Sequence, residues 1–563
     1  MFLKSLNKTL LSAFAIASMM SCSEKLAYSE VTAYDEVEVF ASFQRVNNYV
    51  TNLYSKLENG LLGYDSGGTL ASACDEAVFA WVGSSVNIFT NGTWSATKYN
   101  STVWSNAYYG INAVNFYLEN WTKYDFAEYR FNTDFEDQIE RYYRYQYEAR
   151  FIRAYLYFEL VKTYGDAPLY TENLSIEEAN SVARTPAREI FEFIDAECEA
   201  ISGKLPNDYA SITYAESGRI TDLTILALRA RAAMYAASPL FVEAGEDATE
   251  LWYKAALTSK ALLDAAAEDG KCLDSYANLS GASNFQSSDV IYARRLGTLN
   301  SIEYYNFPIG VDGGGSGNCP SQTLVDAYRM QSTGLLSSEE GSGFDPANPY
   351  EGRDPRFAQT IVYNGTATWP NWNTNPIETF DGGINAAPTL GATPTGYYLR
   401  KFVDPSVDLR TGKVTTAKHS WIMYRVGEFY LNYAEAVANY FQDPNATDAE
   451  FETSAVAKLN ELKAYRAIPT VEAADMATFN SYYRNERMVE LAFEAHRFWD
   501  VRRWMIGSEE FDSVDVAKIT KTNGVVNYDR ATIDRNWEEK MNFFPIPNSE
   551  IMKNTNLVQN TGW

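Results

Sequence analysis

The sequence predicts a mainly α protein, a tetratricopeptide-like helix-turn-helix scaffold with a loop-rich, irregular subregion laid over it. Three observations predict this. Apolar residues recur every three or four positions through paired stretches of about 15 to 25 residues in both halves of the chain. Small and tyrosine-rich positions (Ala149, Ala154 and Tyr157; Ala230, Ala233 and Tyr235; Tyr433, Ala434 and Ala436) suit closely packed helix pairs. Between the halves, residues 270–400 are rich in Gly, Pro and Asn and far too long for a plain connector. No strict consensus of about 34 residues repeats, so the likeness to the repeat is one of architecture.

Taken in order, Lys4 and Lys8 precede a short apolar run at 10–20, the pattern of a secretory signal too short to span a bilayer. The run ends at Met19-Met20-Ser21-Cys22, which resembles a bacterial lipobox. The expectation is a lipoprotein signal peptide over 1–21, lipidation at Cys22 and a tether over 22–31. Residues 32–563 read as a single domain, with scaffold at roughly 32–268 and 420–507, a loop-rich insertion at roughly 270–400 and an extended segment at 508–563. Helices are expected at 33–57, 104–121 and 136–164, the last stopped by Gly165 and Pro168. Others follow at 186–201 behind the Thr185-Pro186 start, at 218–237 before Ser238-Pro239, at 248–267, 420–440, 448–466 and 477–507. In the insertion only 290–294 looks strand-like, and the glycine run at 313–317 reads as a flexible loop.

The most charged element is 485–504, expected as one helix. Met488, Leu491, Ala492, Ala495, Phe498 and Trp499 fall on one face, with Arg487, Glu490, Glu494 and Arg497 on another. Glu490 and Glu494 are candidates for an acid/base pair. The competing reading is a helix pinned by ion pairs between neighbours three apart, Arg487 with Glu490 and Glu494 with Arg497.

A net charge of −26 argues against nucleic acid, because phosphate binding wants a basic surface. Catalytic signals are absent. The chain has two histidines, His419 and His496, too few for a His-built metal centre, and it lacks HExxH, GxSxG, P-loop and dinucleotide patterns. Cys74, Cys198, Cys272 and Cys319 are scattered, so buried thiols are expected rather than a disulfide framework. No catalytic residue, metal or cofactor is assigned.

Aromatics make up 15% of the chain, and several sit in loops. Trp81, Phe89 and Trp94 lie in the Gly/Ser/Asn-rich stretch 60–100; Tyr304, Tyr305, Trp369 and Trp372 lie in the insertion. Asp75, Asn87, Asn91, Asn371 and Asn373 are their polar neighbours. Rings offer flat apolar faces for the C–H faces of sugars, and carboxylates and amides satisfy the hydroxyl rim. For each ring alone, burial of a loop base is an equal alternative.

Motifs in order carry a family resemblance. They are Cys74-Asp-Glu-Ala77; Trp104, Tyr108 and Asn115; Ala149-Arg-Phe-Ile-Arg-Ala-Tyr-Leu-Tyr-Phe-Glu-Leu160; Tyr164-Gly-Asp-Ala-Pro168; and Tyr235-Ala-Ala-Ser-Pro-Leu240. Later come Arg353-Asp-Pro-Arg-Phe357, Thr395-Gly-Tyr-Tyr398, residues 486–504, Phe544-Pro-Ile-Pro547 and Gln559-Asn-Thr-Gly-Trp563. The chain resembles the SusD/RagB surface glycan-binding lipoproteins over nearly all of its mature length. The resemblance implies a non-enzymatic lipoprotein, built on about four tetratricopeptide-like helix pairs and lipid-anchored on the outside of the outer membrane. It also implies capture of oligosaccharide and its delivery to a SusC-like TonB-dependent transporter, with ligand contacts in the loop-rich part. Trp81 is placed as a ligand-binding residue by its short distance from Asp75-Glu76-Ala77. The RagB branch implies peptide uptake as an alternative, and a surface glycosidase is the remaining one. Ala495 stands where the family usually has Gly, which is favourable if the position is helical.

Overall fold

The computed structural model describes residues 36–98, 101–209 and 216–563; the expected signal peptide, Cys22 and the tether lie outside them. The scaffold is built from α1 (Phe43–Leu53), α2 (Val103–Asn120), α3 (Phe135–Tyr164), α4 (Ala187–Ile201), α5 (Asp222–Ala237), α6 (Thr249–Glu268), α7 (Val426–Phe441), α8 (Ala455–Tyr465), α9 (Met476–Glu490) and α10 (His496–Arg503). From α2 to α8 each long helix packs on the next, giving a tetratricopeptide-like run of pairs: α2 with α3, α4 with α5, α6 with α7. α9 packs on α7, and Lys463–Glu486 and Arg466–Glu490 ion pairs tie it to α8. α3 is central, and its second half is buried almost all round, from Tyr145 to Tyr164. Gly165 ends it with a positive φ, as the sequence required.

Because α6 packs directly on α7, everything from 269 to 425 leaves the helical run and returns to it. This stretch is less irregular than expected. β2 (Val290–Leu299) pairs antiparallel with β6 (Ala417–Arg425), from Val290 opposite Arg425 to Leu299 opposite Ala417. The expected helix at 420–440 therefore begins as strand β6 and turns helical only at Val426. β1 (Ala77–Phe79) pairs with β3 (Asn318–Pro320), and β4 (Ile361–Val362) with β5 (Tyr398–Leu399). The C-terminal segment, expected to be merely extended, contains a ten-rung hairpin of β7 (Ser513–Thr522) and β8 (Val525–Asp534). Val514, Val516 and Ile519 of β7 are buried, while β8 is largely exposed.

Two further boundaries depart from expectation. The 33–57 helix is broken, with Glu36–Val39 ahead of α1 and the Ser42 side chain capping α1 by accepting the Arg45 N–H. The 485–504 helix is two: α9 ends at Glu490, and Phe493 and Ala495 turn through left-handed backbone (φ 62 and 64) before α10. No helix among the described residues is long and apolar enough to cross a membrane.

A candidate glycan-binding platform

The break between α9 and α10 removes the shared helical face on which Glu490 and Glu494 were an acid/base pair. Each charged residue reaches to another element instead of its neighbour. Glu490 accepts from Arg356, Arg425 and Arg466 at 2.7–2.8 Å, and Glu494 from Lys401 and Arg425. Arg487 pairs with Asp500, and Arg497 with Asp75 and Glu510. Burial raises the Glu490 carboxyl, but Arg466, Arg425 and Arg356 outweigh it and hold the group well below the ordinary carboxylate value. A carboxylate so saturated has no proton to exchange. His496 is pushed well below its ordinary value by burial and by surrounding arginines, so it stays neutral and holds no charge for catalysis. Among the described residues no His/Cys/Asp/Glu group is arranged to hold a metal ion.

Asp75, expected among ligand contacts, is fully buried and receives both Nε and Nη2 of Arg497 at 3.0 and 2.7 Å. Its work is to clamp α10 to the start of β1. Phe89 and Trp94 are also interior. Phe89 packs edge-on to Trp94 and Phe498 and tilted against Phe544, and Trp94 meets Phe544 and Trp563, so both rings seat α10 and the C-terminus. Trp369 is 1% exposed, with Arg400 stacked over it. Trp372 is half-buried, its N–H given to the Val407 carbonyl and its ring covered by Arg410. Asn91 is exposed but folds its amide oxygen back onto Thr93. Phe89, Trp94 and Trp369 therefore keep no free face.

Three expected residues are brought together. The β1–β3 ladder continues with the Ala80 N–H bonding Gly317 O, which delivers Trp81 to the glycine run; its indole N–H then donates to Gly315 O at 2.7 Å. The same glycine run lies on the backbone of the short helix Ser301–Asn306 that carries Tyr304 and Tyr305. Gly317 has φ +41, and a Cβ there would collide with Tyr305 O, so this loop is a close-fitting spacer and not the flexible loop its composition suggests. Buried Asn318 fixes the spacing: its amide oxygen accepts from Thr69 and Ser72, and its NH₂ donates to Gly67 O and Asn306 Oδ1.

The result is a surface bearing Trp81 at 39% and Tyr304 at 55% exposure, with Tyr305 half-buried and edge-on to Tyr304 at 5.4 Å. Gly391 lies against the back of the Trp81 ring, leaving no room for a Cβ. Asn87 donates to the Trp81 and Val82 carbonyls, steadying the turn. Exposed Val82 and Leu390 extend the apolar area, and nothing in their own sequence marked them.

Two family models match, "SusD family" over 289–563 and "Starch-binding associating with outer membrane" over 26–231. The chain is a SusD-like family member. A SusD-like protein of Formosa agariphila is 25% identical over 522 residues, 88% of this chain and 89% of that one. A crystal structure of a SusD-like protein from Bacteroides fragilis superposes with TM-score 0.77 at 23% identity, covering 94% of this chain and 99% of that one. A SusD-like carbohydrate binding protein, also from Bacteroides fragilis, gives 0.74 at 22% identity over 92% and 100%. The expected scaffold and family are therefore in place.

Proposed function

We propose that this SusD-like protein captures glycan on the Trp81–Tyr304–Tyr305 platform without cleaving it. In this reading it is held on the outer membrane by lipidation at Cys22 and passes its ligand to a SusC-like TonB-dependent transporter. The observation that carries the reading is the Trp81–Gly315 hydrogen bond, which holds the exposed Trp81 ring to the glycine run lying on the backbone of exposed Tyr304. Rings held in place before binding lose little freedom when a sugar stacks on them. The carbohydrate-binding relative from Bacteroides fragilis and the starch-binding description of the second family model support a sugar ligand.

Trp81→Ala and Tyr304→Ala should each weaken polysaccharide binding by about 1–3 kcal/mol, the worth of a stacked ring by analogy with bases on aromatics, with the melting temperature nearly unchanged. Affinity electrophoresis and calorimetry against plant, algal and microbial polysaccharides measure it. Binding of peptides and no glycan, or undiminished glycan binding by both variants, would sink the reading. Co-purification with an outer-membrane transporter, lost when Cys22 is replaced by Ser, checks the delivery step.

A further inference from the structure

Behind the platform lies a second, separate space. Residues 64–70 divide the two: Gly67 packs against the Tyr305 ring, whereas Tyr64 and Leu70 line a cavity of about 300 Å³. That is at the lower end of small-ligand pockets. The exposed residues Ser55, Gly63 and Thr102 form its mouth, between the end of α1 and the start of α2. Inside it are Glu58, Asn59 and Arg294, together with the aromatic walls of Tyr64 and Trp421.

The charges in this cavity are undercompensated. Burial raises the Glu58 carboxyl and the Glu159 charge adds to the rise; Lys162, Arg231 and a hydrogen bond to the Trp421 side chain do not offset it. Burial lowers the Arg294 guanidinium, one of whose N–H groups is spent on the Leu57 carbonyl. Glu490 shows the opposite balance, with partners that more than repay its burial. The Asn59 side-chain oxygen is buried without a donor. The cavity thus offers an amide oxygen without a donor, a carboxylate whose burial its neighbours do not offset, and a guanidinium whose burial is likewise not offset, beside aromatic rings. Vicinal hydroxyls supply both functions at once, and the C–H face of a sugar ring suits the aromatic walls.

We propose that this cavity binds a single neutral sugar unit, a monosaccharide or a chain end, between Glu58 and Arg294, independently of the surface platform. The test uses the full chain carrying Trp81→Ala and Tyr304→Ala, so that the platform contributes nothing. Free glucose, galactose, mannose and xylose, and glycine as a zwitterionic control, are titrated by saturation-transfer NMR. We expect at least one sugar to bind. Glu58→Gln should weaken it by about tenfold or more, as loss of a charged acceptor does. Thr102→Trp, at an exposed position whose side chain makes no capping bond, should weaken it equally by closing the mouth. Absence of sugar binding, glycine binding in its place, or sugar binding indifferent to both substitutions overturns the proposal. Polysaccharide binding by a chain with an intact platform and the Glu58→Gln and Thr102→Trp substitutions, measured alongside, reports on the platform alone, so failure of one site is distinguishable from failure of the other.

Discussion

Ala495 shows how much one dihedral matters. It has φ 64 and ψ 6 at the entrance to α10, a left-handed conformation that costs a residue with a Cβ about 1 kcal/mol and costs glycine almost nothing. The family's usual glycine is explained by this geometry, and the expectation that alanine is favourable there fails because the position is not helical. Ala495→Gly should therefore stabilise the protein by about 0.5–1 kcal/mol, read as a higher urea midpoint at unchanged slope. Glu76 makes a second case. It is fully buried beside Asp75 and accepts the Phe493 N–H at 3.2 Å; burial and then the Asp75 charge raise its carboxyl to about 8. A raised acid binds its proton more tightly when folded, so its contribution is complete below the unfolded value near 4.5 and is lost as pH climbs through about 8. Over that window the loss is on the order of 5 kcal/mol. Glu76→Gln keeps the acceptor without the charge, so its stability should hold at pH 9 where the parent's declines. A parallel decline in both proteins would contradict the assignment.

At the scale of elements, the regular helices were legible because their period and their stops are local: α3 ends at Gly165, and α5 is followed by Ser238-Pro239, both readable from the residues alone. The β7–β8 hairpin carries a local signal in its turn. Asn523-Gly524 joins alternating strands, and both residues adopt the positive φ such a turn demands (53 and 85). The α9–α10 break was hidden, since a run from Met488 to Trp499 has flawless helical spacing and only long-range pairing overrides it. That pairing is the Glu490 cluster, which joins α9 to the Arg356 turn, the β6–α7 junction at Arg425 and the end of α8 at Arg466. Replacing the carboxylate leaves three buried guanidiniums short of an anion, so Glu490→Gln should cost about 3–5 kcal/mol. Chemical denaturation measures that loss, and glycan affinity per folded molecule should stay as it was.

Across the whole molecule, aromatic residues divide into two populations that composition does not separate. Trp81 and Trp94 are thirteen positions apart in one Gly/Ser/Asn-rich loop. One is turned outward by the β1–β3 ladder and a hydrogen bond to Gly315; the other is closed between Phe89, Phe544 and Trp563. What decides between them is contact with residues more than two hundred positions away, which no local pattern encodes. The platform was therefore legible as a set of candidates, of which Trp81, Tyr304 and Tyr305 converge, while Asp75, Phe89, Trp94 and Trp369 turn out to be interior. The division predicts opposite phenotypes. Trp94→Ala opens a cavity under α10 and the C-terminus and should cost about 3–5 kcal/mol of stability, with affinity unchanged for the molecules that remain folded. Trp81→Ala should lose affinity and keep its stability. Because the two rings touch different partners, the double variant should show both losses at nearly their separate sizes. A thermal melt and a polysaccharide titration on the same four samples decide it: if Trp94→Ala lowers affinity as much as Trp81→Ala does, platform and core are one cooperative unit and the division is wrong.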